Sequence, residues 1–154
     1  MKPPSLISVR GVELEVQHIP LDPLSAQSTS PPVCVFLHEG LGSVALWKDW
    51  PQTICERLGC EAWVYSRKGY GQSEGIDDAR GSGRLRADYM HHEALVVLPR
   101  LLQALAISRP VLLGHSDGGT IALIHASRFD VAGCVVMAPH VMVEDISIQA
   151  ITAA

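Results

Sequence analysis

The sequence predicts an α/β fold, a mostly parallel sheet with helices on both faces, and three observations point to it. Short apolar runs recur at 33–37, 61–66, 111–113 and 131–138, continuous enough to be strands covered on both faces. Stretches with helical periodicity lie between them, and strands that alternate with helices in this way pair in parallel through right-handed crossovers. Third, Gly114-His115-Ser116-Asp117-Gly118 matches G-x-S-x-G between an aliphatic run and the helix-compatible Thr120-Ile121-Ala122-Leu123-Ile124. Strand, sharp turn and helix follow one another there.

The elements follow in order. Residues 7–10 and 12–18 flank Gly11, and the second run alternates apolar and polar residues, which predicts a half-exposed hairpin at a sheet edge. Residues 19–32, rich in Pro, Ser and Thr, read as a surface loop. Val33-Cys34-Val35-Phe36-Leu37 is an interior strand, and the glycine-containing loop His38-Glu39-Gly40-Leu41-Gly42-Ser43 follows it directly. A helix is expected over 47–58, with Pro51 near its start, Ile54 and Leu58 on one face, and Gly59 as its stop. The strand 61–66 leads into Arg67-Lys68-Gly69-Tyr70-Gly71-Gln72-Ser73. That loop lacks the third glycine of a dinucleotide fingerprint and opens no helix, and it is not a P-loop. After a polar loop over 77–86, Asp88 is placed to cap a long helix from Tyr89. Ala94, Leu95, Leu98, Leu101, Leu102 and Leu105 form its buried stripe, and Pro99, which cannot donate to the carbonyl of Leu95, predicts a kink. Residues 131–138 are the next buried strand, closed by Pro139-His140, and 141–154 are helix-compatible.

With 154 residues the chain is long enough for one domain with a core. Hydrophobic residues at 47% against 18% charged place it among globular rather than disordered chains. A net charge of −4 without a basic run gives no reason to expect nucleic acid or an anionic membrane, so a small-molecule substrate is expected. The first ten residues hold no apolar run long enough for a signal peptide, and no later segment could span a bilayer, so the expected location is cytoplasmic. Cys34, Cys55, Cys60 and Cys134 show no C-x-x-C pairing and read as buried thiols, with no metal site. His91 and His92, adjacent on a helix, project about 100° apart and read as exposed rather than as shared ligands.

The chemistry centres on Ser116. On a turn of this kind the serine hydroxyl stands clear of the sheet, and the flanking glycines remove side chains that would collide. The helix that starts there directs free N–H groups and the positive end of its dipole toward negative charge developing beside Ser116. Asp117 would supply one N–H of an oxyanion hole. The second is expected from the loop after the 33–37 strand, at Gly40 with Leu41 as the near alternative. His38, Glu39, His115 and His140 are expected to line the substrate pocket.

The 114–119 turn, the 38–42 loop and the 67–73 loop, in that order, resemble the α/β-hydrolase fold family over nearly the whole chain. The resemblance implies a serine hydrolase of the esterase, lipase or carbon–carbon-bond hydrolase kind, acting on carboxylic esters or related small acyl substrates without metal or organic cofactor. Ser116 departs from the dehalogenase branch, which carries Asp there, and Glu39 departs from the Gly that most members have after the His. The resemblance further implies that 1–138 form the N-terminal part of the core and 139–154 the start of a truncated cap segment. The C-terminal strands, and the loops bearing the acid and histidine of the triad, are then missing.

Within the chain, His125 lies nine residues along the helix, roughly 13 Å from Ser116, and cannot be the base. Asp130 should lie at the opposite edge of the sheet, while Glu144 and Asp145 follow His140 and so reverse the family order. His140 ends a strand on the catalytic edge, where it lines the site and acts as base only if it comes within hydrogen-bond reach of Ser116. The expectation is an incomplete triad, low activity in isolation, and a last strand left open to a homo-oligomer or a complementing C-terminal fragment. The alternatives are a non-catalytic module that binds a small molecule or protein, and a carbon–carbon-bond hydrolase. A flavodoxin-like sheet is disfavoured by the missing phosphate loop.

Overall fold

A computed structural model describes residues 3–22 and 31–153. Residues 23–30, most of the loop expected over 19–32, lie outside the described residues. The hairpin forms as expected, from β1 (Ser5–Val9) and β2 (Val12–Ile19), antiparallel and turned at Arg10 and Gly11. β3 (Val33–Leu37), β4 (Glu61–Tyr65), β5 (Val111–His115) and β6 (Gly133–Met137) run parallel, and the sheet order is β1-β2-β4-β3-β5-β6. Because β2 pairs with β4, β1 is the edge strand on this side among the described residues.

That pairing corrects the half-exposed reading of β2, since Glu15 on its polar face is buried. The loop after β4 folds over it: the Ser66 hydroxyl and the Gln72 N–H donate to Glu15 Oε2 at 2.6 and 3.0 Å. A buried carboxylate of this kind is held by its donors rather than by solvent.

Alternation along the parallel strands covers both faces. Val35, Leu37 and Leu112 pack on one side with Leu98, Leu101 and Ile121, while Cys34, Phe36 and Leu113 pack on the other with Cys55, Val64 and Trp47. β6 departs from the expectation of a buried strand. Val135 is 50% exposed and Cys134 is also exposed, because no strand lies beyond β6 among the described residues.

The helix expected from 47 divides. A 3-10 turn at Ala45–Trp47 is broken at Lys48, whose φ is 53°, and α1 (Trp50–Leu58) starts afterwards with Pro51 in its first turn. The long helix forms as α2 (Tyr89–His92), a π-helical stretch Glu93–Val97, and α3 (Leu98–Ala104). The Leu98 N–H reaches back five residues to the Glu93 carbonyl, so the widened turn falls just before Pro99 and absorbs its missing donor. Asp88 does not cap this helix; its carboxylate pairs with Arg86 at 3.2 Å instead. α4 (Asp117–Ala126) and α5 (Asp145–Thr152) complete the described chain.

Register decides where chemistry can occur. Leu37 stands opposite both Tyr65 and Gly114, and His115 opposite Met137, so the chain leaves β3, β4, β5 and β6 at one edge of the sheet. This carboxyl edge is where open α/β sheets bind ligands.

Candidate functional site

Ser116 sits between β5 and α4 at φ 53° and ψ −115°, a conformation that costs a non-glycine residue about 1–3 kcal/mol and persists only when its surroundings enforce it. Two contacts do so. Its N–H donates to the Met137 carbonyl at 2.8 Å, and its own carbonyl accepts the Thr120 N–H at 3.0 Å. The turn is tight enough that a Cβ at Gly118 would lie 1.9 Å from the Leu37 carbonyl oxygen. The strained serine is thus held by close approach of α4 to β3.

His140 comes closer than the pocket-lining position expected for it. Its Nε2 is 2.9 Å from Ser116 Oγ, within hydrogen-bond reach, and 4.0 Å from Asp117 Oδ1. Thr120, one turn along α4 from Ser116, positions it through the backbone: the hydroxyl accepts the His140 N–H at 2.8 Å and donates to the His140 carbonyl at 3.0 Å. Among the described residues no carboxylate bonds the other ring nitrogen, so the arrangement is a Ser–His pair without a third member. The side chain is 59% exposed.

On the other side of Ser116 lies a buried polar cluster. The Asp117 carboxylate accepts a short hydrogen bond from the Tyr89 hydroxyl and lies 3.6 Å from Arg67 Nη2. Arg67 Nη2 also donates to the carbonyls of Glu39 at 3.0 Å and Gly40 at 3.3 Å, and its guanidinium stands 5.2 Å from the Tyr70 ring centre. A cation inside a protein is retained only with such partners. Burial and the hydrogen bond to Asp117 push the Tyr89 phenol well above its ordinary value, so it stays a donor.

Several expected pocket residues also serve the framework. His38 is buried, with Nε2 accepting the Arg67 N–H at 3.0 Å and Nδ1 donating to the Glu39 carbonyl at 2.6 Å. Burial first, and the neighbouring Arg67 second, lower its pKa to about 4, so it is a neutral strut at neutral pH. Glu39 folds back onto its own loop, its carboxylate accepting the Leu41 N–H at 2.5 Å. That N–H is therefore not free for an oxyanion, which removes Leu41 as the alternative donor. Gly40 remains beside Asp117: a Cβ on it would lie 3.4 Å from the Asp117 carboxylate. The N–H of Asp117, first in α4, has no partner within the helix. His115 lines a small cavity of about 80 Å³ with His38, Glu39 and Trp47.

The remaining residues fall where spacing put them. His125 is buried, bonding the Ala94 carbonyl at 2.8 Å, and Asp130 pairs with Arg109 on the opposite edge of the sheet. Glu144 and Asp145 are exposed at the start of α5. Cys34, Cys55 and Cys60 are buried thiols, with Cys34 and Cys60 sulfurs 3.7 Å apart. Among the described residues no group of three or more His, Cys, Asp and Glu could hold a metal ion, and no helix is long and apolar enough to cross a membrane.

Sequence reasoning missed Arg67, Tyr89 and Thr120. Arg67 carried a signal, since a charged residue two positions past a buried parallel strand must sit at the carboxyl edge. Thr120 carried one too, at four residues from Ser116 on the same helical face.

A model of the alpha/beta hydrolase family matches residues 34–153. No curated protein sequence matches the chain. Among solved structures, a bacterial membrane phospholipase A superposes with a TM-score of 0.71 at 16% identity, covering 93% of this chain and 41% of its own. An epoxide hydrolase from Vigna radiata gives 0.70 at 17% identity, covering 98% and 45%. An alpha/beta hydrolase fold protein from Burkholderia ambifaria gives 0.64 at 20% identity, covering 92% and 48%. At these identities the likeness is one of fold, and the chain spans less than half the length of each of these three. With the strand order, the strained serine between β5 and α4, and a family match over 34–153, the chain belongs to the alpha/beta hydrolase family.

Proposed function

We propose that the protein hydrolyses carboxylic esters or related small acyl substrates, with Ser116 as nucleophile and His140 as general base. The observation that carries this reading is the 2.9 Å contact between Ser116 Oγ and His140 Nε2 at a strained turn. Ser116 Oγ attacks the acyl carbonyl as its proton passes to His140 Nε2, and the carbonyl electrons move onto oxygen, toward the N–H groups of Gly40 and Asp117. The imidazolium then protonates the leaving alcohol as its bond to the acyl carbon breaks. Water, activated by the same imidazole, releases the acid and restores Ser116. Serine rather than aspartate at the turn favours this acyl route over that of the dehalogenase branch.

A histidine with no carboxylate on its second nitrogen is a weaker base, and losing that orienting acid costs a serine protease about four orders of magnitude. The exposed β6 edge supports a second element of the proposal, that a complementing segment or a second copy pairs there. The unpartnered imidazole nitrogen also favours an alternative, a non-catalytic binding module. Fluorophosphonate labelling separates the two. Labelling of the wild type, lost in Ser116→Ala, supports the hydrolase; a Ser116→Ala protein that labels equally, or a wild type that neither labels nor turns over p-nitrophenyl acetate above buffer, defeats it.

A further inference from the structure

A cavity of about 650 Å³ opens between the β1–β2 hairpin, the loop after β4 and α2 with its π-helical extension. Neither Ser116 nor His140 nor Gly40 lines it. Its walls are apolar at Val9, Val12, Leu14, Ile76, Leu85 and Val97. Its charged groups are unbalanced: Arg10, Arg67, Lys68, Arg84 and Arg86 against Asp88 and Glu93, in a chain whose net charge is −4. Three cations have an acid beside them, Arg86 with Asp88 at 3.2 Å, Lys68 with Glu74 at 2.7 Å and, through Nη2 alone, Arg67 with Asp117 at 3.6 Å.

Arg67 is the feature that points to a ligand. It is 5% exposed, it lines the cavity, and its Nε and Nη1 have no hydrogen-bond partner among the described residues. Native structures rarely leave buried donors of a charged group unmatched, and such groups mark places where something else binds. Glu93, a buried acid of the wall, accepts the Tyr65 hydroxyl at 2.8 Å and makes no hydrogen bond or ion pair with Arg67 among the described residues. The cavity volume lies within the usual range for small-molecule sites, which are apolar with a few placed polar groups.

From this cavity we infer a binding site for a small carboxylic acid with an apolar tail, its carboxylate matched by Arg67 and its tail packed on the Val12, Leu85 and Val97 walls. A planar carboxylate suits guanidinium donors, and the single negative charge sits beside Glu93 at less cost than a phosphate dianion would. The site goes beyond the proposed reaction, because it is separate from Ser116. It touches that reaction at two residues that line the cavity: Tyr89, which donates to Asp117, and Arg67, which pairs with Asp117 and donates to the Gly40 carbonyl.

The test is calorimetric titration of the whole chain with octanoate and with 1-octanol. Octanoate is expected to bind at millimolar affinity or better, and octanol at least about tenfold more weakly. Arg67→Gln should erase that difference. Since this buried substitution could cost the fold, Leu85→Trp gives a second arm at a position 45% exposed, where the larger ring fills the cavity. It should weaken octanoate about tenfold or more with an unchanged melting temperature. Ser116→Ala and fluorophosphonate-labelled protein should bind octanoate as the wild type does, whether or not the hydrolase reading stands. Equal binding of octanol, unchanged affinity in Leu85→Trp, or loss of octanoate binding on labelling Ser116 would each overturn the assignment.

Discussion

On the β3–β4 side of Ser116, His38, Arg67 and Asp117 are buried, and their carbonyl, imidazole, hydroxyl and carboxylate partners come from four separate segments of chain. On the β6 side, His140 carries an imidazole that is 59% exposed and is positioned through its backbone by one hydroxyl, that of Thr120. The first flank gains rigidity from a polar network that the low dielectric makes costly to break. The second leaves a ring free to exchange protons with solvent and depends on a single clamp. On the proposed reading, the groups assigned as oxyanion donors and nucleophile rest on a preorganised wall, whereas the group assigned as base is held locally. Damage to the first flank should appear in stability, and damage to the second in rate.

The largest expected effect tests that division directly. His140→Ala should lower esterase turnover by about two to four orders of magnitude while leaving the melting temperature close to wild type, because an exposed ring contributes little packing. A drop of several degrees in that variant would place the base in the core and erase the contrast. Next in size is the comparison of two neighbouring glycines. Gly118→Ala, with its Cβ 1.9 Å from a backbone carbonyl oxygen, should destabilise by about 3 kcal/mol or more. At Gly119 the nearest atom is 3.2 Å away on the Pro139 side chain, so Ala there should cost less, about 1 kcal/mol. Urea unfolding measures both, and equal losses would refute close approach at Gly118 as the cause.

Acid should act on the buried flank. With the His38 pKa lowered from 6.5 to about 4, the native state resists a proton that the unfolded chain accepts. Stability is therefore fully present above about pH 6.5 and is lost as pH falls toward 4, by about 1.4 kcal/mol per pH unit for one such histidine. Buried His125, lowered by the same desolvation, adds to the slope. His38→Gln should flatten the pH dependence of the urea midpoint below 6.5, and an unchanged slope would remove His38 as its source. The smallest effect concerns the clamp. Thr120→Val keeps the shape but removes both hydrogen bonds to His140, and should lower kcat about tenfold with KM little changed. A kcat equal to wild type would mean that the base needs no such positioning.

The elements were legible in the sequence because local pattern dictates them. Period-two and continuous apolar runs marked the strands, glycine between two extended runs marked the hairpin, and the G-x-S-x-G pattern marked the sharp turn at Ser116 between strand and helix. The stripe from Ala94 to Leu105 was read from spacing, and Pro99 announced an irregular turn whose π-helical form only the structure displays. By contrast, Glu15 looked like a solvent-facing residue because alternation cannot show that a loop more than fifty positions later will cover it. His38 and Glu39 line a small cavity, as their place after an interior strand suggested, but spacing could not show that Arg67 also hydrogen-bonds the His38 ring and the Glu39 carbonyl.

The sequence by itself determined the strands, the turn at Ser116 and the edge of the sheet where chemistry belongs, since these depend on residues near one another in the chain. Tertiary structure alone decided which groups meet there. The approach of His140 to Ser116 depends on how the chain leaves β6 and on a hydroxyl twenty residues earlier, and the Arg67–Asp117–Tyr89 cluster joins three elements through strand register and helix packing. Hydrogen bonds reach about 3 Å, so whether they form is settled only when distant segments are packed to that tolerance.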